Sequence, residues 1–84
     1  TKKLHKTRYV LNFRSEKWFI DCFHKENFPL VIAEVELNSE QEIIDPPSWC
    51  SNEITGIKKF SNASLSEFPI SCWSREEQEN FNLL

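Results

Sequence analysis

The sequence predicts an α+β fold in which an antiparallel β meander leads into short C-terminal helices. Three observations carry that prediction. The first half holds three strand-like runs joined by brief polar links. Apolar and charged residues alternate within those runs at the period of two that places them on opposite sheet faces. The second half instead carries two serine-led capping signals, "SEQE" and "SREE", of the kind that open helices.

The elements follow in order. "LHKTRYVLNF", Leu4 to Phe13, puts Tyr9, Leu11 and Phe13 on one face and Lys6 and Arg8 on the other. "RSEK", Arg14 to Lys17, reads as a turn. "WFIDCF", Trp18 to Phe23, is aromatic and β-branched, with Asp21 as its only charge. "HKENFP" is the next turn, and "LVIAEVEL", Leu30 to Leu37, the third strand. Short links make antiparallel neighbours the simplest topology. Ser39 with Glu42 forms the first capping box, and the helix it opens stops at Asp45–Pro47. "SWCSNEITG" predicts a helical turn ending at Gly56. "KKFSNASLSEFP" is irregular or briefly helical and is closed by Pro69. Ser74 with Glu77 opens the last helix, with Trp73 as a staple residue and Phe81 and Leu84 as its apolar stripe.

Eighty-four residues make one small domain, spanning 1–84, with a modest core. Its 39 % apolar and 27 % charged residues describe a globular chain. A single glycine restricts tight two-residue hairpins. A net charge of −3 offers no basic surface for a nucleic-acid backbone, so no nucleic-acid partner is expected. No run is long enough to cross a bilayer, so no membrane partner is expected either. Cys22, Cys50 and Cys72 are odd in number and far apart, which points to reduced thiols and a cytoplasmic location. His5 falls on the opposite face from Lys6 and Arg8, and His24 sits in a turn; both read as structural or solvated.

The charged strand positions raise the functional question. Lys6 and Arg8 share a face, as do Glu34 and Glu36. If these side chains and Asp21 point the same way, one surface opposes cations to carboxylates, and Tyr9, Leu11, Val31, Ala33, Val35 and Leu37 form the core face behind it. Lys and Arg bind phosphate oxygens, and paired glutamates hold a hard divalent cation that phosphate also ligates. The plainer reading, a solvated face with cross-strand ion pairs, stands beside it on pattern alone.

Six segments in sequence then resemble a known family. "KTRY", "WFIDCF", "AEVEL", "PPSW", "EITG" and "FSNASL" are similar in order and spacing to the C-terminal half of a CYTH domain, the triphosphate tunnel metalloenzyme fold. The resemblance covers about Lys6 to Leu65. It implies half of an antiparallel β tunnel whose lumen binds a triphosphate-containing small molecule and Mg²⁺ or Mn²⁺. It implies metal-dependent hydrolysis of that substrate, inorganic tripolyphosphate first. Thiamine triphosphatase, adenylate cyclase or a non-catalytic polyphosphate-binding module stay open as alternatives.

Carried over position by position, the resemblance implies phosphate-binding roles for Lys6 and Arg8 and metal-binding roles for Glu34 and Glu36. It implies a lumen-facing, catalytic position for Asp21. Lys58 or Lys59, just before "FSN", falls at the family's basic position ahead of the closing helix. The family's N-terminal ExExK strand has no counterpart here. The expectation is therefore a fragment, a degenerate copy, or a barrel completed by an N-terminal half or by a second copy in a homodimer, with this chain inactive alone.

Overall fold

The computed structural model describes residues 4–36, 47–50 and 52–83. Strands β1 (Lys6–Phe13), β2 (Glu16–Phe23) and β3 (Val31–Glu36) form one antiparallel sheet in the order β1-β2-β3. This is the meander, and short helices follow it: α1 (Asn62–Glu67) and α2 (Arg75–Asn80), with 3₁₀ turns between and before them. The expected α+β architecture is what the chain forms. Among the described residues, no helix is long and apolar enough to cross a membrane.

The first hairpin is tighter than the sequence suggests. Glu16 and Lys17 belong to β2, leaving Arg14 and Ser15 alone in the turn, with φ of 52° and 67°. Two consecutive positive φ values are the signature of a type I′ turn, whose twist matches that of the flanking strands. Non-glycine residues bear some strain there, and the long ladder from Lys6↔Phe23 to Phe13↔Glu16 holds it.

The second half departs from expectation in one place. No helix forms among the described residues of 47–56; instead Ile57 N–H donates to the Ile54 carbonyl at 2.9 Å, closing a turn. Gly56 occupies the left-handed position of that turn at φ 77°, where a side chain would be strained. The Ser39–Glu42 capping box, its helix, Leu37 and Leu84 lie outside the described residues.

Both described α-helices are capped by serine. Ser61 accepts from the Ser64 amide at 3.2 Å. Ser74 accepts from the Glu77 amide at 3.1 Å while Glu77 Oε1 accepts from the Ser74 amide at 3.4 Å, completing the expected capping box. The residue one turn on from Trp73 is Gln78, so the link there is polar: Gln78 Nε2 donates to the Trp73 carbonyl at 3.1 Å.

The core lies on the side of the sheet opposite to the one the alternation suggests. Phe23, Leu30, Phe60, Leu65, Ile70, Trp73 and Leu83 form it, with Leu4, Ile32, Ile54 and Phe81 packed against it. Register pairs Asp21 with both Arg8 and Ile32, so Phe23, Leu30 and Ile32 share the face of Lys6, Arg8, Glu34 and Glu36. Helices and 3₁₀ turns therefore cover one end of the charged face. The expected core face is largely open among the described residues: Tyr9 is 57 % exposed and Val31 56 %. Only Trp18 is buried there, edge-on to Trp49 at 5.4 Å.

A buried asparagine explains how that end is closed. Asn27, in the β2–β3 connection, donates to the Leu65 carbonyl at 3.2 Å and accepts from the Ile70 amide at 2.9 Å. One amide thus ties the sheet to α1 and to the 3₁₀ turn at 70–72, satisfying two buried backbone groups. Leu65 fills the space beneath it and is completely buried. Phe60, Trp73 and Phe81 pack edge to face, with centroids 4.9–6.3 Å apart.

Candidate functional site

Beyond the buried end, the same sheet face becomes polar. Its rows read Lys6, Arg8, Val10 and Asn12 on β1, then Phe23, Asp21, Phe19 and Lys17 on β2. On β3 they read Ile32, Glu34 and Glu36. All charged strand positions singled out from the sequence fall on this face, because the register keeps their parity in phase.

Asp21 is the centre of the cationic part and is only 3 % exposed. Arg8 Nε donates to Oδ1 at 2.7 Å and Nη2 to Oδ2 at 2.9 Å, a bidentate clasp. Lys6 Nζ donates to Oδ2 at 2.8 Å. The Arg8 hydrogen bonds foremost, with Lys6 adding to them, hold the Asp21 carboxyl down at about 2 against the desolvation that opposes them. The same pairing raises the Arg8 pKa, with a smaller contribution from Glu34.

The cations remain partly available. The Arg8 side chain is 46 % exposed, and its guanidinium lies 5.3 Å from the Phe19 ring centroid. The Lys6 ammonium lies 5.6 Å from the Phe23 centroid and also donates to Asn62 Oδ1 at 3.3 Å. Asn62 opens α1, so the helix that covers the core also touches the charged face. Sequence reasoning missed Asn62, since a contact across 56 positions leaves no local signal.

Glu34 and Glu36 are exposed, and neither makes a hydrogen bond or ion pair with a described residue. They stand two residues apart on one face, roughly 6.6–6.8 Å along the strand. Among the described residues no group of three His, Cys, Asp or Glu side chains gathers as a metal cage. Two unpaired carboxylates nevertheless suit Mg²⁺ or Mn²⁺, since Mg²⁺ is commonly held by one or two carboxylates, with water and phosphate completing its shell.

Lys58 and Lys59 are not joined to this cluster. Lys59 pairs with Glu77, and its hydrogen bond lowers the Glu77 pKa; its ammonium also lies 4.1 Å from the Trp73 centroid. Lys58 is exposed in the 3₁₀ turn at 58–60. The histidines also stay apart from the charged face. His24 Nε2 is 2.7 Å from Thr7 Oγ1, and both His5 and His24 line a separate cavity of about 390 Å³. Lys17 and Phe19 are the face's unexpected members. Their parity with Asp21 was the available signal, hidden by reading Lys17 into a turn.

Two curated proteins are similar to this chain. An inorganic triphosphatase of Acetivibrio thermocellus is 38 % identical over 66 residues, which are 79 % of this chain and 42 % of the relative. An inorganic triphosphatase of Nitrosomonas europaea is 32 % identical over 68 residues, 77 % of this chain and 45 % of the relative. The chain thus spans less than half the length of these relatives. No protein-family model and no solved structure matches it.

Proposed function

We propose that this chain contributes one part of the site of a metal-dependent triphosphatase, with inorganic tripolyphosphate as substrate. The observation that carries the reading is the Lys6–Asp21–Arg8 cluster on the same sheet face as two glutamates that have no hydrogen-bond or ion-pair partner among the described residues. Its support from outside is the similarity to two proteins named inorganic triphosphatase.

Each residue then has a task. Lys6 and Arg8 bind and orient phosphate oxygens, with Asp21 fixing both side chains so that little conformational freedom is lost on binding. Asp21 is a positioning residue on this reading: held at about 2, it stays ionised at neutral pH and is a weak proton acceptor. Glu34 and Glu36 are the residues that would hold Mg²⁺ or Mn²⁺, which would supply charge neutralisation to the phosphoryl group and its leaving oxygen. Lys58, exposed near the start of α1, is available to a longer anion, whereas Lys59 would first have to leave Glu77.

The described edges of the sheet, β1 and β3, are each paired on one side only. Further strands, from another part of the protein or from a second copy, complete the enclosure on this reading, because unpaired edges recruit strands.

Phosphate release from tripolyphosphate by the intact protein, with and without Mg²⁺ or Mn²⁺, tests the proposal. Metal-dependent release that falls at least about a hundredfold in Glu34→Gln and Glu36→Gln supports it. Tripolyphosphate binding without release supports a non-catalytic binding module, and release indifferent to both substitutions overturns the assignment.

A further inference from the structure

His5 and His24 stand across from each other at the end of the β1–β2 ladder. The last row of that ladder pairs Lys6 with Phe23, and one row further out the His24 amide donates to the His5 carbonyl at 2.9 Å. His24 is still extended there, with φ −116° and ψ 168°, so its side chain keeps the alternation of the strand. Both imidazoles therefore leave the sheet on the face opposite to Lys6, Arg8, Glu34 and Glu36. The contact of His24 Nε2 with Thr7 Oγ1, at 2.7 Å, agrees with that direction, because Thr7 has the same parity as His5.

Cross-strand partners have Cβ atoms roughly 4.5–5.5 Å apart. From that spacing two imidazoles can each bring one nitrogen to a shared ion. Neighbouring ligands on a tetrahedral ion with bonds of about 2.0–2.1 Å lie roughly 3.3 Å apart, well within reach of the two rings.

The rings also have nitrogens to give. His5 makes no hydrogen bond or ion pair with a described residue, and a neutral imidazole always keeps one nitrogen lone pair. His24 commits Nε2 to Thr7, whose hydroxyl accepts from Nε2–H in the tautomer that leaves the Nδ1 lone pair open. A metal-ligating histidine typically donates its other ring N–H in this way, which fixes both tautomer and ring orientation.

Both rings line one cavity of about 390 Å³, with Lys25, Glu26 and Ser66 among its other walls. Lys25 and Glu26 offset each other in charge, and the cavity has room for the waters of a coordination shell. Among the described residues no third His, Cys, Asp or Glu gathers with the two histidines, so the protein supplies two ligands.

We propose that His5 and His24 form a two-imidazole site for a divalent transition ion such as Zn²⁺ or Ni²⁺, with water in the remaining positions. Imidazole suits these ions, whereas Mg²⁺ takes oxygen ligands. The ion bridges the start of β1 to the end of β2 and stabilises the folded chain by binding it. The site stands apart from the polyphosphate reading, since it lies on the other sheet face and uses none of the same residues.

Thermal unfolding of the intact protein with Zn²⁺, Ni²⁺ or Mg²⁺ tests it, in the wild type and in His5→Gln, His24→Gln and Thr7→Val. Saturating Zn²⁺ or Ni²⁺ is expected to raise the wild-type midpoint by at least about 5 °C. Either glutamine substitution abolishes that rise, and Thr7→Val weakens the ion about tenfold while both ligands remain. Any effect of Mg²⁺ is expected to be the same in every variant. Substoichiometric Ni²⁺, being paramagnetic, broadens the His5 and His24 ring-proton resonances together. No rise in the wild type, a rise that survives either glutamine substitution, or broadening of one ring without the other overturns the site. Neither ring is buried, so the glutamine variants keep the fold, which metal-free midpoints close to that of the wild type verify.

Discussion

Arg8 meets Asp21 through two nitrogens, Nε at 2.7 Å and Nη2 at 2.9 Å, across the β1–β2 ladder where the two residues are register partners. The pair is part of the structure and, on the proposed function, part of the site. It buries a carboxylate that the sheet could not otherwise tolerate, and it fixes the guanidinium on the charged face. Removing the charge while keeping the shape separates these roles. Asp21→Asn is expected to lower folding stability by roughly 2–4 kcal/mol, as for a buried partner lost from a charged network. Urea unfolding of the substituted protein measures it.

The same carboxylate sets an acid limit. Its folded pKa, about 2, lies below its ordinary value near 3.8. A depressed carboxylate pKa contributes stability that is fully present above the unfolded value and is lost as pH falls through the folded one. The gap corresponds to roughly 2 kcal/mol, lost between about pH 4 and pH 2. Urea midpoints across that window are expected to fall in the wild-type protein, with a shallower fall in Asp21→Asn.

Arg8→Lys keeps the charge but replaces the two-nitrogen clasp with a single ammonium. The expected result is a loss of roughly 1–2 kcal/mol in stability and about a tenfold weaker grip on tripolyphosphate. Unfolding and binding titrations on the one variant give both numbers.

Leu65 and Asn27 anchor the helical cap to the sheet. Leu65→Ala is expected to cost about 2–5 kcal/mol, because a completely buried leucine leaves a cavity. Asn27→Ala strands the Leu65 carbonyl and the Ile70 amide, and is expected to cost roughly 2–4 kcal/mol. Chemical denaturation of each variant checks these values.

Ser74→Ala removes the acceptor of the Glu77 amide at the start of α2. A loss of about 1 kcal/mol is expected in thermal unfolding, as for an ordinary N-cap.

Much of this was legible in the chain itself. Period two in "KTRYVLNF" and "LVIAEVEL" sufficed to put Lys6 with Arg8 and Glu34 with Glu36, while the register puts the two pairs on one sheet face, and "SREE" sufficed for the α2 capping box. Which face would be the core was not legible. Alternation says that two faces differ, but Tyr9, Leu11 and Val31 look as apolar as Phe23 and Leu30. The choice rests on where α1 lands, and Asn27 makes that contact 38 and 43 positions away in sequence. The two-residue turn at Arg14 and Ser15 was hidden because neither residue is the glycine or asparagine such turns favour. That misreading also concealed Lys17. The Asp21 clasp needed the register, since spacing alone does not say which cation stands opposite which carboxylate.

The central claim is that the Lys6–Arg8 pair and the Glu34–Glu36 pair act on one ligand. Calorimetric titration of tripolyphosphate into the intact protein, with and without Mg²⁺, tests it most directly, repeated on Arg8→Ala and on Glu34→Gln with Glu36→Gln. The account predicts Mg²⁺-dependent binding that weakens at least about tenfold in Arg8→Ala and loses its Mg²⁺ dependence in the double glutamine variant. Binding that is equally tight without Mg²⁺ and indifferent to both sets of substitutions contradicts it.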